Sequence, residues 1–177
     1  MKIWVSSLAK VHDVAARSGA ATAVSLLSPG DVFPAIEGLA DDEHHRVHLN
    51  DIRAPQDGAI TPNDDHVDGI IRFLRGWDPQ TPLLVHCWAG VSRSTATAFV
   101  AACLHNPDAD EAAIAEAMCD ASPTAFPNTL IVSIADRLLE RGGRMADAAR
   151  AVCDDRDRAA RVARTGEAQP FAFSARY

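Results

Sequence analysis

The sequence predicts a single α/β domain with a short, mostly parallel central sheet flanked by helices. Its 177 residues match the size of one domain with a substantial hydrophobic core. Short apolar segments bounded by Pro, Gly and Ser, which are typical of buried strands, alternate along the chain with segments of helical periodicity. Near the middle of the chain, one such strand passes through a short loop directly into a helix, as in the repeating unit of α/β proteins.

The first third of the chain contains most of the predicted strands. Strands are predicted over residues 2–8, 22–27 and 46–49, and a short helix over residues 11–18 is closed by Gly19. Residues 31–43, which hold Pro34, Gly38 and paired acidic residues, are predicted to be irregular. A strand followed by a helix and a second strand is consistent with a parallel sheet.

The remaining elements are mainly helices around the central strand. Thr61 and Pro62 predict a helix start, with Thr61 as N-cap, and Gly76 predicts its end. The central strand covers residues 81–85, and further helices are predicted from Ser94, after Asp110, after Asn128 and from Met145 to Val152. We predict one domain over 1–177, in which 154–177 is a charged helical extension and tail. Its residues 170–173 either dock on the core or stay loose.

Composition narrows the classes of partner and compartment. A net charge of −7 argues against a general nucleic-acid binder or a protein of anionic membrane surfaces. The apolar run at residues 1–5 is too short for a signal peptide, and the sequence shows no membrane span. Four scattered cysteines favour a reducing cytoplasm, and their spacing supports no metal site and no cofactor. The His-rich run at 44–48 lacks partners at metal-site spacing, so we predict a solvated turn that leads into a strand.

The loop between the central strand and its helix combines residues suited to bind a tetrahedral anion. Its sequence begins with His86 and Cys87, continues for five residues and ends in Arg93 and Ser94. Backbone N–H groups of a tight loop at a helix N-terminus form an anion site. Gly90 lets the backbone approach the anion closely, and the guanidinium of Arg93 matches two phosphate oxygens at once.

The position of Cys87 in this loop predicts a nucleophile. Thiols at helix N-termini near positive charge ionise at lower pH than free cysteine. A thiolate inside a phosphate-binding loop is directed at phosphorus. Ser94 is placed to hydrogen-bond the sulfur and to stabilise it as a leaving group. A buried strand, turn and helix with a merely structural Cys is the simpler alternative.

The stretch from His86 to Ser94 resembles the signature loop of the cysteine-based protein tyrosine phosphatases, nearest to their compact dual-specificity type. The resemblance implies a three-layer α/β fold and two-step hydrolysis of phosphomonoesters through a cysteinyl-phosphate, without a metal. The implied partner is a phosphorylated protein or a small phosphomonoester. The residues that would hold the phosphate oxygens are Trp88, Ala89, Gly90, Val91, Ser92 and Arg93.

The resemblance also implies a general acid and two supporting residues. In the family an Asp follows a strand some thirty-odd residues before the nucleophile, and Asp51, 36 residues before Cys87, matches this position. Asp57 remains the alternative acid. Asn128, which follows a Pro and precedes an apolar helix, is expected to hold the loop with its side chain, and as an N-cap residue it fits equally well. His86 is expected to orient the loop through hydrogen bonds.

Several alternatives remain open at the level of sequence. Residues 88–92 carry no positive charge, which ranks phosphoinositide and other non-protein phosphates below phosphoproteins as substrates. A phospho-binding module without turnover, and a rhodanese-like sulfur transferase, are candidates of other classes. Cys103 and Cys119 lie on apolar helix faces and are predicted to pack in the core, while either of them or Cys153 is a candidate disulfide partner for Cys87 under oxidation.

Overall fold

A five-stranded sheet forms the centre of the molecule in the computed structural model, which describes residues 1–154 and 168–175. Its strands are β1 (Lys2–Ser7), β2 (Thr22–Leu27), β3 (His44–His48), β4 (Pro82–Cys87) and β5 (Phe171–Phe173). The strand order is β3-β2-β4-β1-β5; the first four strands run parallel, and β5 runs antiparallel to β1. The predicted α/β class with a mostly parallel sheet is confirmed.

Helices cover both faces of the sheet. They are α1 (Val11–Ser18), α2 (Asp64–Arg75), α3 (Arg93–Leu104), α4 (Glu111–Ala121), α5 (Thr129–Leu138) and α6 (Arg144–Asp154). Helix α1 packs on one face, where Val11 and Val14 join a small core with Ala23 and Leu84. The other helices enclose a larger core on the opposite face. Within the described ranges, no helix has the length and apolarity needed to cross a bilayer.

The central strand β4 is buried on both sides. Leu83 and Val85 belong to the larger core and Leu84 to the smaller one, and all three side chains are fully buried. Successive side chains of a strand point to opposite faces, so a strand covered on both faces shows a continuous apolar run rather than alternation. This explains why the run in the sequence predicts the strand correctly, although β4 continues two residues further, to Cys87.

The C-terminal tail supplies a strand that the sequence analysis did not predict. Phe171 and Phe173 are buried on β5, opposite Val5 and Ile3 of β1. Of the two alternatives for this segment, docking on the core is therefore the one observed. The predicted charged helical extension between α6 and this strand falls on residues 155–167, which lie outside the described residues.

The remaining differences concern helix and strand ends. Helix α2 is capped by Asn63, whose side chain accepts a hydrogen bond from the His66 N–H, so the prediction of Thr61 as N-cap was wrong by two residues. The predicted caps Asp110 and Asn128 are confirmed, because each side chain accepts from backbone N–H groups of its helix. Strand β3 begins at His44, two residues earlier than predicted.

Candidate active site

The carboxyl ends of the parallel strands bring the predicted site residues to one edge of the sheet. Cys87 is the last residue of β4, and α3 begins at Arg93. Ser7 ends β1, Ser28 follows β2, and Leu49 follows β3. Ligand sites of parallel α/β sheets lie at this edge because strand ends and helix N-termini converge there. The loop formed by residues 87–93, the 87–93 loop, therefore lies at the same edge of the sheet as the ends of β1, β2 and β3.

The thiol of Cys87 is buried and directed into this loop. Its side chain is 1% exposed. The Gly90 N–H donates to Sγ over 3.3 Å, and Ser94 Oγ lies 3.1 Å from Sγ. Both groups stabilise negative charge on sulfur when they donate to it. The predicted contact between Ser94 and Cys87 is thus present in the structure.

Arg93, which ends the 87–93 loop, is buried and is held by the segments that follow β2 and β3. Arg93 is 4% exposed. Its Nη1 donates to the carbonyl of Leu49 over 2.9 Å and to Ser28 Oγ over 3.2 Å. Its buried Nε finds no hydrogen-bond acceptor among the described residues, although Asp51 Oδ2 lies 4.0 Å away. A buried guanidinium donor without an acceptor is costly. An anion bound in the 87–93 loop would satisfy it.

Gly90 allows the 87–93 loop to lie against the end of β1. Its φ is +74°, and a Cβ added there would come within 2.8 Å of both the Ser6 carbonyl carbon and the Ser7 nitrogen. Such distances are far below normal contact, and the obstructing atoms are backbone, which moves only with its strand. The close approach seen in the structure is to the neighbouring strand β1, whereas the approach of Gly90 to an anion stays a prediction.

We expect Gly90→Ala to displace the 87–93 loop. The left-handed φ costs a non-Gly residue about 1–2 kcal/mol, and the contact with β1 adds to it. Phosphate release should fall by at least about tenfold, because small displacements of a catalytic loop are expensive. Gly38→Ala is the matched control. Gly38 has a φ of +85° with open space around the added Cβ, so this variant should lose stability but keep its activity. Equal results for the two variants in urea unfolding and activity would contradict the close contact.

The outer side of the 87–93 loop is fastened by the segment before α5. The carbonyl of Val91 accepts from the Phe126 N–H over 3.0 Å, and the carbonyl of Ser92 accepts from the Asn128 N–H over 3.2 Å. Thr95 Oγ1 donates to both carbonyls, over 2.5 and 2.9 Å. Both carbonyls accept hydrogen bonds from this segment and from Thr95. The N–H groups of the loop therefore remain available to a ligand inside it.

Asp51 reaches the 87–93 loop, and Asn128 holds it there. Asp51 Oδ1 accepts from Ser92 Oγ over 2.6 Å and from Asn128 Nδ2 over 2.8 Å. The resemblance led us to expect the Asn128 side chain on the loop; it contacts Asp51 and the Ile52 carbonyl instead, and only its backbone N–H contacts the loop. Asp57 lies in an exposed turn. Of the two candidate acids, Asp51 is the one with contacts to the loop.

His86 is buried beneath the nucleophile position. Its Nε2 lies 2.5 Å from Ser25 Oγ, and the same oxygen lies 2.6 Å from His44 Nε2. Burial lowers the pKa of His86 to about 4, against the opposing effect of the Cys87 backbone. Sequence reasoning missed Ser25 and His44 as partners of His86. The sequence signal that could have identified Ser25 is its position as a single serine among the apolar residues of β2.

The His-rich run 44–48 serves the packing of β3. His44 is buried, His45 stacks on Phe73 with ring centroids 5.1 Å apart, and His48 stacks on Phe33 at 4.3 Å. The prediction of a solvated turn was therefore wrong for His44, because the strand begins at this residue and buries it against Ser25 of β2. In the described part of the chain, no group of three His, Cys, Asp or Glu residues is arranged to hold a metal ion.

Exposed apolar side chains occur on segments that carry residues of the site. Trp88, directly after the nucleophile position, is 60% exposed, and Ala89 is also exposed. The other exposed large apolar residues of the described chain are Val32 and Ile60. Val32 lies in the segment after β2, which contacts Arg93 through Ser28, and Ile60 exchanges two hydrogen bonds with Asn50, next to Asp51.

Solved phosphatase structures share this fold. Cydia pomonella PTP-2 phosphatase matches with a TM-score of 0.56 at 23% identity over 76% of this chain and 84% of that chain. Human DUSP28 matches with a TM-score of 0.58 at 22% identity over 78% and 92%. A mouse putative dual specificity phosphatase complexed with zinc tungstate matches with 0.54 at 20% over 80% and 79%. No protein-family model and no curated protein sequence matches the chain. The likeness establishes the fold.

Proposed function

We propose that this chain, whose fold is that of the dual-specificity and tyrosine phosphatases, is a phosphomonoester hydrolase that acts through Cys87 without a metal. One observation carries the proposal: a buried thiol accepts a backbone N–H of its own loop, and the same loop ends in a buried guanidinium whose Nε has no acceptor among the described residues. A nucleophile and an anion site share one loop. The arrangement supplies both what attacks phosphorus and what holds its oxygens.

The first step transfers the phosphoryl group to sulfur. The Cys87 thiolate attacks phosphorus, so the S–P bond forms while the bond from phosphorus to the leaving oxygen breaks. Arg93 and the N–H groups of residues 88–93 hold the other three oxygens, where charge increases in the transition state. Asp51 gives its proton to the leaving oxygen. We assign the proton to Oδ2, because Oδ1 already accepts hydrogen bonds from Ser92 and Asn128.

The second step releases phosphate. Asp51, now a carboxylate, takes a proton from water as the water oxygen attacks phosphorus, and the S–P bond breaks to return the thiolate. The hydroxyl of Ser94, 3.1 Å from Sγ, donates to the departing sulfur. The step needs no other base, because the Asp that protonated the leaving group is deprotonated when water arrives.

Asp51→Asn tests the assignment of the acid. The amide oxygen can still accept from Ser92 and Asn128, so the contacts remain and only proton transfer is lost. We expect kcat to fall by about 10²–10⁴-fold on phosphotyrosine, and by less on p-nitrophenyl phosphate, whose leaving group needs less help. Asp57→Asn is the control and should stay within about twofold. If Asp57→Asn lowered kcat more than Asp51→Asn, Asp57 would be the general acid.

Exposed apolar side chains on the segments that build the site favour a phosphoprotein as the substrate. Val32, Ile60 and Trp88 are exposed, and residues 88–92 offer no positive charge to further phosphate groups. Side chains that flank a phosphorylated residue of a peptide can cover these apolar surfaces, whereas a polyanionic inositol phosphate cannot. We place the protein in the reducing cytoplasm, where Cys87 stays reduced and forms no disulfide. We propose no nucleic-acid or membrane partner.

The direct test is phosphate release by the purified full chain in the presence of EDTA. The panel contains p-nitrophenyl phosphate, phosphopeptides with apolar or charged flanks, soluble inositol phosphates and phosphoinositide vesicles. We expect turnover that is fastest on peptides with apolar flanks. Tungstate binding without turnover on any substrate would indicate a phospho-binding module. Sulfur transfer from thiosulfate to cyanide would indicate a sulfur transferase, and a preference for inositol phosphates would overturn the substrate class.

A further inference from the structure

Three polar side chains form a continuous hydrogen-bonded row across the face of the sheet that α1 covers. His86 of β4, Ser25 of β2 and His44 of β3 lie on three adjacent strands, and Ser25 Oγ is within 2.6 Å of an Nε2 atom on each side. All three residues are buried. We call this row the His44–Ser25–His86 network. It extends from His86, which directly precedes Cys87, to the edge strand β3.

The serine hydroxyl couples the two imidazole rings. It carries one proton, so it can donate to one Nε2 and must accept from the other. The two rings therefore need opposite states: one carries a proton on Nε2, and the other presents a lone pair there. Because the group that orients one face of a His sets the tautomer of the other, the state of His44 determines that of His86.

The environment keeps both rings neutral. Burial lowers the pKa of His44 to about 4 and that of His86 to about 4. The charged and titratable groups that act on the rings are Arg46, Asp41 and His45 around His44, and His44, His12 and Arg93 around His86. Near neutral pH, neither ring carries a positive charge that would override the tautomer choice.

Ser25 holds both rings by the same atom, Nε2. Neither His44 Nδ1 nor His86 Nδ1 has a hydrogen-bond partner among the described residues. The contact with Ser25 is therefore the hydrogen bond that orients each ring.

We propose that His44 is a positioning residue for the nucleophile: through Ser25 it fixes the tautomer and orientation of His86, and thereby the backbone at Cys87. The inference rests on the proposed function, and it assigns a role in that function to a residue two strands away from the loop. His44 touches neither the substrate nor the sulfur. Its effect should appear in how readily the Cys87 sulfur ionises and reacts.

The test compares His44→Leu, Ser25→Ala and the double variant with the parent chain. The readout is the pH dependence of Cys87 alkylation by iodoacetate, which does not require phosphatase activity. We expect each single variant to shift the midpoint to higher pH and to lower the alkylation rate at pH 6 by about two- to tenfold, the range that one hydrogen bond supplies. The double variant should be no worse than either single one, because both break the same network.

Two further variants separate positioning from packing. His44→Gln can keep a donor toward Ser25 and should restore most of the alkylation profile. His45→Gln changes the neighbouring ring, which stacks on Phe73 outside the network, and should leave the profile unchanged. Additive effects of Ser25→Ala and His44→Leu, or a loss of thermal stability in His44→Leu with an unchanged Cys87 profile, would overturn the proposal.

Imidazole ¹⁵N chemical shifts give an independent measurement on the unmodified chain. The expected spectrum at pH 7 shows two neutral rings of opposite type, one with its proton on Nε2 and the other with its proton on Nδ1. Two rings of the same tautomer, or a charged ring at pH 7, would contradict the network. If wild-type Cys87 reacts like free cysteine, the proposed function itself fails, and this outcome is distinct from an unchanged profile in the variants.

Discussion

Cys87→Ser should abolish phosphate release, with kcat lower by at least about 10³-fold, while tungstate still binds. A serine hydroxyl in this position stays protonated near neutral pH and cannot replace the thiolate as nucleophile or leaving group. The anion site is made by backbone N–H groups and Arg93, so the substitution leaves it in place. Steady-state assay and calorimetric titration with tungstate measure the two effects separately.

Cys103→Ala is the matched control for this experiment. Cys103 lies on α3, the helix that follows the 87–93 loop, and burial strongly raises the pKa of its thiol. We expect wild-type kcat and a loss of stability of about 1 kcal/mol for the removed buried atom. Activity of Cys87→Ser at the level of Cys103→Ala would show that phosphate release does not pass through the Cys87 sulfur.

Arg93→Lys should lower kcat/KM by roughly 10²–10³-fold, the range seen when one preorganised donor at developing charge is lost. The guanidinium uses Nη1 to bind Leu49 and Ser28 and keeps Nε for the anion. The ammonium group of Lys is a single point of charge, so it cannot bind Leu49 and Ser28 and also a phosphate oxygen. The loss should appear in both kcat and tungstate affinity.

Arg17→Lys provides the corresponding control. Arg17 is an exposed residue of α1 whose ion pair with Asp13 spans one helical turn, so the exchange should change neither parameter by more than about twofold. If Arg93→Lys kept wild-type kcat/KM, the unused Nε donor would have no part in binding phosphate, and the proposed reading of the site would be wrong.

The sequence alone located the centre of this site because its determinants are local. A buried strand, a short loop with Gly90 and a helix N-terminus are adjacent in the chain, and each has its own pattern. Asp51 required the family resemblance, since nothing near it in sequence distinguishes it from Asp57. The contacts of Asp51 with Ser92 and Asn128 make that distinction only in three dimensions.

What the sequence could not show depends on contacts between distant segments. The Leu49 carbonyl that holds Arg93 has no side-chain signature, although its position directly after a strand follows from the rule that strand ends converge. His44 belongs to a run of polar residues that indicates exposure, and only pairing of β3 with β2 buries it. Strand β5 has three residues, too few for periodicity to be recognised.

The position of β5 also orders the assembly of the sheet during synthesis. Strand β1 is made first, yet its two neighbours are β4, some eighty residues later, and β5 near the C-terminus. A ribosome-bound chain therefore has one side of its first strand without backbone partners until the last strand emerges. Closure of the sheet on that side therefore waits until β5 has been synthesised, some eighty residues after β4.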